Sequence, residues 1–131
     1  MPELHLTTTN SSHPEVHSKP MHLFQLEIGV WAKEKGWQPW PVAEMPSKIA
    51  LLHSEASEML EEYRNNHAPT KVYTSMDKEG NEKPEGIPIE LADLVIRCFE
   101  FAANFHIDLA AAVQIKMDYN QKRPYRHNKV V

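Results

Sequence analysis

Two pairs of acidic side chains have the residue types and the spacing that could do chemistry. Glu55 and Glu58 form one pair, and Glu90 and Asp93 form the other. The two carboxylates of each pair are three residues apart, and side chains at that spacing share one face of an α-helix. Four carboxylates that converge from two helices would repel one another unless a cation lay between them. Because hard oxygen ligands suit Mg²⁺ or Mn²⁺, the pairs predict a metal site that handles phosphates.

Apolar side chains recur with helical periodicity around both acidic pairs. The first apolar stripe, with Glu55 and Glu62 at its edge, comprises Leu52, Ala56, Met59, Leu60 and Tyr63. The second stripe, with Asp93 on its flank, comprises Leu91, Leu94, Val95, Cys98, Phe101, Ala102 and Phe105. The acids lie on the same side of both stripes, so antiparallel packing would bring the two acidic edges together at the rim of the core. The alternative is that each acidic pair is a solvated helix face.

The local patterns predict four helices, which cover residues 21–35, 46–64, 88–105 and 109–121. Gly36 ends the first helix, Pro88 begins the third, and Asp108 is the expected N-cap of the fourth. The buried candidates of the first helix are Leu23, Leu26, Ile28, Val30 and Trp31. Between the second and third helices, residues 65–86 predict a long loop or a short hairpin, in which Tyr73–Met76 is the strand-like part.

Composition limits the class of protein. A chain of 131 residues is one domain, and a helical chain of this size can complete its core by oligomerising. The net charge of −4 argues against nucleic-acid binding through a basic surface. The sequence lacks an apolar run of membrane-spanning length and a signal-peptide core, so no membrane association and a cytoplasmic location are expected.

Residues 1–19 are predicted to be a polar arm whose three histidines are not ligands, and residues 20–131 form the domain. Cys98 is expected to be a small buried hydrophobe.

Positive charge follows at the end of the fourth helix. Lys116, Asn120 and Arg123 are spaced four and three residues apart and therefore share a face. Beside a metal site, this cationic and hydrogen-bonding stripe suggests that the ligand is a polyphosphate. The alternative is a basic C-terminal end that the helix dipole favours. In the Pro-broken loop 37–41, Trp37 or Trp40 is a candidate to stack on a base, and a structural aromatic plug is the alternative.

The order and spacing of these motifs resemble the MazG-like, all-α nucleoside triphosphate pyrophosphohydrolases over residues 21–128. The motifs are Ser54-Glu55-x-x-Glu58, Glu90-x-x-Asp93 and Lys116-x-x-x-Asn120-x-x-Arg123-Pro-Tyr. The family pattern opens with paired glutamates, and Ser54 stands at the first of them, so only Glu55 and Glu58 inherit the ligand role there. The stretch from Pro84 to Arg97 is similar to the bacterial and phage branch of the family.

The resemblance implies an all-α bundle of four to five helices whose core is completed in a homodimer or homotetramer. It implies hydrolysis of nucleoside triphosphates to monophosphate and pyrophosphate, as in house-cleaning of the nucleotide pool. The catalytic metal, Mg²⁺ or Mn²⁺, would be held by Glu55, Glu58, Glu90 and Asp93. Which carboxylate, if any, acts as general base stays open. The basic stripe would neutralise phosphate oxygens, in the same subunit or in a neighbouring one.

Other chemistries fit the sequence less well. His53-x-Glu55 resembles a deaminase signature, but that chemistry needs a cysteine-rich zinc site and the chain has one cysteine. Di-iron bundles need Glu-x-x-His pairs, and a Ser–His–Asp hydrolase needs a nucleophile elbow; neither motif is present. The alternative from another class is a non-catalytic helical adaptor with solvated acidic faces. Such an adaptor would show no Mg²⁺-dependent change in stability or activity.

Overall fold

The computed structural model describes residues 19–128 and Val130, and this part of the chain is mainly helical. The α-helices are α1 (Met21–Glu34), α2 (Met45–Arg64), α3 (Ile87–Asn104) and α4 (Leu109–Gln121). Two strands, β1 (Tyr73–Met76) and β2 (Glu82–Glu85), lie between α2 and α3, and short 3-10 turns occupy Val42–Glu44 and Tyr125–Asn128. The four predicted helices are confirmed, with ends within one residue of the prediction, and of the two alternatives for residues 65–86 the structure has the short hairpin. The predicted polar arm and its histidines lie outside the described residues, except for Lys19.

Local chemistry accounts for where the helices begin and end. Gly36 follows α1 with a φ of +75°, a left-handed conformation that glycine adopts without a Cβ clash. The Oδ1 of Asp108 accepts a hydrogen bond from the backbone N–H of Ala111 at 3.0 Å, which confirms the predicted N-cap of α4. Gly86, which precedes α3, has a φ of +121°, and a Cβ there would lie 2.2 Å from the carbonyl oxygen of Lys71. Only glycine therefore fits between the hairpin and α3.

The hairpin is a two-stranded antiparallel sheet in which Tyr73 pairs with Glu85 and Met76 pairs with Glu82. Its turn is held by Asp77, whose Oδ1 accepts hydrogen bonds from the backbone N–H groups of Glu79 (2.9 Å) and Asn81 (2.8 Å). Strand β2 contacts α3. The hairpin thereby places Tyr73 and Glu85, its first residue pair, beside the contact between α2 and α3.

Helix α3 is the centre of the fold, since it packs against both α1 and α2. Its contact with α1 depends on small residues: a Cβ on Gly29 would lie only 2.9 Å from the Cβ of Ala103. The fully buried apolar side chains are few in the described part, namely Ala32, Phe99 and Ala102. None of the helices in this part is long and apolar enough to span a membrane.

Most of the predicted buried positions of α1 were wrong. Leu23, Leu26, Val30 and Trp31 are exposed, Leu26 by 64%, and Ile28 is half-buried. Within one chain α1 is covered chiefly by α3, and the helices touch along Gly29 and Ala32, so the larger side chains beside this narrow contact stay uncovered. The outer parts of the α2 and α3 stripes are exposed for the same reason, at Leu60, Tyr63, Leu91 and Val95.

Candidate metal centre

Three acidic side chains meet where α2 packs against α3. Glu55, Glu58 and Glu90 each place one carboxylate oxygen within 4.8 Å of the others. Glu55 and Glu90 are buried, with 8% and 6% of their surface exposed, whereas Glu58 is exposed. Glu58 lies near Glu90, and Glu55 pairs with Arg97 seven residues further along α3, so the two helices run antiparallel. Three of the four predicted ligands are thus brought together, and their role as ligands stays a prediction.

Asp93, the fourth predicted ligand, is a neighbour of this triad and lies outside the 4.8 Å group. It is half-buried one helical turn after Glu90 and lines a small cavity together with Glu55. Burial raises the pKa of the Asp93 carboxyl, the negative charge of Glu55 raises it further, and the positive charge of Arg97 opposes both effects. Asp93 therefore belongs to the electrostatics of the cluster.

Glu90 shows how strongly the cluster disfavours uncompensated negative charge. Burial raises the pKa of its carboxyl to about 7, with further contributions from the hydrogen bond and the charge of Glu58 and from the charge of Asp93. Its Oε2 atom is buried and has no hydrogen-bond partner in the part of the chain that the structure describes. A buried carboxylate oxygen without a donor requires a proton or a cation. The residues thus fit a divalent cation of the Mg²⁺ type, which prefers carboxylate oxygens.

A second acidic triad was missed from the sequence. Glu62 and Glu85 each place an oxygen within 4.8 Å of Glu90 and of each other. The oxygens of Glu62, however, already accept hydrogen bonds from the Tyr73 hydroxyl (3.0 and 3.2 Å) and interact with Nδ1 of His67. The hydrogen bond with His67 holds the pKa of Glu62 below its usual value. Glu62 is therefore stabilised by its protein partners, and the triad of Glu55, Glu58 and Glu90 is the better cation site.

Only part of this second triad could have been found from the sequence. Glu62 follows Glu55 by seven residues and stands at the same edge of the apolar stripe, which is a visible signal. Glu85 precedes α3 at the end of a hairpin, and its Oε1 accepts hydrogen bonds from Ser75 (2.8 Å) and Lys83 (3.1 Å). No local pattern indicates that Glu85 folds back towards α2.

An ion-pair network on the other side of the triad was also missed. The Nε–H of Arg97 donates to Oε1 of Glu55 at 2.8 Å, and its Nη1 donates to Oε2 of Glu100 at 3.1 Å. Glu100 is 1% exposed, and its Oε1 has no hydrogen-bond partner among the described residues. Arg97 follows Asp93 by four residues, and Glu100 follows Arg97 by three, so all three side chains share one helix face. This spacing could have indicated the ion-pair network from the sequence. Arg97 restrains Glu55 and offsets part of the negative charge of the site.

The basic stripe lies elsewhere in the single chain. Lys116 and Asn120 are exposed on α4, Arg123 follows that helix half-buried, and α4 packs against α1. The Nζ of Lys116 and the guanidinium of Arg123 lie over the ring of Tyr119, at 4.7 and 5.7 Å from its centroid. Within residues 19–128 neither cation forms an ion pair with a carboxylate. In the part of the chain that the structure describes, no ion pair therefore joins the stripe to the acidic triad.

The two candidate tryptophans have different surroundings. Trp37 is half-exposed, packs edge to face against Trp31 with 4.9 Å between ring centroids, and lines the same small cavity as Glu55. Trp40 exchanges hydrogen bonds with Asn104 through its backbone, and Nζ of Lys48 lies 4.4 Å from its ring centroid. Trp40 is therefore held by contacts with Asn104 and Lys48, and Trp37 is the aromatic side chain beside the acidic site; a role of either ring in stacking on a base stays a prediction.

No protein-family model, curated protein or solved structure matches this chain. Its function must therefore be inferred from the geometry of the site and from the order and spacing of its motifs.

Proposed function

We propose that the protein is a Mg²⁺-dependent hydrolase that converts nucleoside triphosphates to nucleoside monophosphates and pyrophosphate. The observation that carries this proposal is the triad of Glu55, Glu58 and Glu90, in which a buried oxygen of Glu90 lacks a partner. The choice of reaction rests on the motif spacing, which resembles that of the MazG-like pyrophosphohydrolases. Removal of unwanted nucleotides from the cellular pool is the corresponding role.

Glu55, Glu58 and Glu90 would hold the cation, with Asp93 next to them as a fourth carboxylate. When bound, Mg²⁺ (or Mn²⁺) supplies Lewis acidity towards a phosphoryl oxygen and the attacking water. Arg97 keeps Glu55 in place through its 2.8 Å hydrogen bond, so this carboxylate is oriented before any ligand arrives.

The proton released by the attacking water needs an acceptor, and the carboxylates of the triad are the nearest bases. Glu58 is the exposed member, so its carboxylate can accept a proton and pass it to bulk water. Glu90 is buried and is therefore better placed to bind the cation than to exchange protons with solvent. We therefore assign Glu58 to the transfer of the proton in addition to cation binding, and Glu55 and Glu90 to cation binding alone.

The triphosphate chain also needs positive charge, which we assign to Lys116 and Arg123 of a second copy. In residues 19–128 of one chain neither cation forms an ion pair with a carboxylate, and large apolar side chains on α1 and α3 are uncovered. A homodimer or homotetramer would cover apolar residues such as Leu26 and Val95 and could bring α4 of one copy to the acidic triad of another.

The adaptor alternative is less well supported. An adaptor with solvated acidic faces would keep its carboxylates in water, where their mutual repulsion is weak. Glu55 and Glu90 are instead more than nine-tenths buried beside other acids, an arrangement that costs stability in the absence of a cation.

The test is a Mg²⁺-dependent screen of nucleoside triphosphates with chromatographic separation of the products. We expect monophosphate and pyrophosphate; diphosphate and orthophosphate as sole products would refute the assignment. Glu58→Gln and Asp93→Asn should each abolish turnover without loss of helical structure. Glu79→Gln, an exposed position in the hairpin turn, is the matched control and should retain activity. Near-normal turnover of Glu58→Gln and Asp93→Asn would eliminate the proposed metal site.

A further inference from the structure

A small cavity of about 150 Å³ adjoins the acidic triad. Glu55 and Asp93 form the side of the cavity that belongs to the candidate metal centre. Its other walls are Trp31, Trp37, Ile96, Arg97 and Glu100. A space of about 150 Å³ is the size that holds one benzene ring, so this cavity matches a single six-membered ring.

The walls of the cavity suit an aromatic ligand. Trp37 is 49% exposed, and its edge-to-face contact with Trp31 positions its ring without covering it. Ile96 adds an apolar surface. Stacking on a tryptophan face is available to every nucleobase and contributes to binding without selecting among bases. Selection must therefore come from the polar side chains of the cavity.

The polar side chains are an acceptor and a donor that lie next to each other. Glu100 is 99% buried, and Arg97 donates to its Oε2, which leaves Oε1 without a partner in the described part of the chain. Arg97 has five N–H donors, and its bonds to Glu55 and Glu100 are made by Nε and Nη1. A buried acceptor of this kind is stabilised by a ligand that brings an N–H group.

We propose that this cavity binds the base of the nucleotide and that Glu100 selects a pyrimidine with an exocyclic amino group. A cytosine-type ring presents an amino donor next to a ring-nitrogen acceptor, which complements Oε1 of Glu100 beside the guanidinium of Arg97. A uracil-type ring presents a carbonyl oxygen in place of the amino group, and that oxygen would face the carboxylate. This inference rests on the proposed function and specifies the substrate class of the same site.

The test measures binding separately from hydrolysis. Titration calorimetry with CMP and with UMP is expected to show CMP binding about tenfold or more tightly, because UMP leaves the buried acceptor unpaired. Glu100→Gln, which keeps the side-chain size, should reduce this preference to about threefold or less. Glu79→Gln should retain it in full. The ratio of kcat/KM for CTP over UTP should follow the same order.

If the Glu100→Gln protein does not fold, a change in the ligand tests the same contact in the unmodified protein. The pyrimidin-2-one analogue of CMP lacks the amino group, and the unmodified protein should bind it about as weakly as it binds UMP. Equal binding of CMP, UMP and this analogue would overturn the proposal, and so would a CMP preference that Glu100→Gln leaves intact. Binding of CMP over UMP without any triphosphate hydrolysis would refute the proposed reaction and support the assignment of the cavity.

Discussion

Replacement of Glu90 with glutamine in the metal-free protein is expected to raise the free energy of unfolding at pH 8 and to change it little near pH 4. In the folded protein, burial and the neighbouring acids raise the pKa of this carboxyl from 4.5 to about 7. The unfolded chain loses the Glu90 proton near pH 4.5, whereas the folded chain keeps it until about pH 7. The folded state therefore binds more protons between these values, and its stability falls as the pH rises through that window.

The size of the effect follows from the pKa shift. At 1.36 kcal/mol per pKa unit, the rise from 4.5 to about 7 corresponds to a loss on the order of 3 kcal/mol above pH 7. A protein of this size has a total stability of about 5–15 kcal/mol, so the loss is easily measured. Glutamine resembles the protonated carboxyl in shape and does not ionise, so the variant avoids this loss.

The assay is urea unfolding followed by circular dichroism, in buffer with a chelator, at pH 4.5 and pH 8. The quantity of interest is the stability difference between variant and parent, because titrating carboxyls outside the acidic cluster largely cancel in it. This difference should grow by about 2–3 kcal/mol between the two pH values. Added Mg²⁺ at pH 8 should stabilise the parent and not Glu90→Gln. A difference that is the same at both pH values would refute the placement of Glu90 among buried acids.

Three further predictions concern the scaffold and the basic stripe. Gly29→Ala should lower the free energy of unfolding by about 1–2 kcal/mol, because the new Cβ would lie 2.9 Å from the Cβ of Ala103. This loss should exceed the gain from alanine's higher helix propensity. Adding Ala103→Gly to the same chain should restore part of the loss, as measured by urea unfolding. Asp108→Ala should cost about 1 kcal/mol through loss of the α4 N-cap, and Asp108→Asn should cost less. Arg123→Ala should reduce kcat/KM for a nucleoside triphosphate by at least tenfold with little change in melting temperature, and Arg123→Lys should recover only part because lysine cannot bind phosphate bidentately. Lys122→Ala is the control for Arg123, and equal effects of the two alanine variants would eliminate the phosphate-binding role.

The positions of the helices and of the hairpin could be predicted from the amino-acid sequence because they depend on local interactions. Gly36 and Asp108 act within one turn of the helix ends that they define, and periodicity of 3.6 residues is visible without a partner helix. The same holds for the pairing of acids on one helix face. The spacing of Glu55 with Glu58 and of Glu90 with Asp93 depends only on helical geometry.

Burial and contacts between elements were decided by the tertiary structure. Leu26 and Gly29 lie on the same helix, yet the small residue makes the contact with α3 and the large one stays exposed, since α1 is covered chiefly by one neighbouring helix. The approach of Glu85 to Glu62 depends on the fold of the hairpin, and the bond from Arg97 to Glu55 joins residues 42 positions apart. Such contacts depend on how elements pack, which periodicity along one helix does not specify. The raised pKa of Glu90 likewise arises from burial and from neighbours on other elements, so only the folded chain creates it.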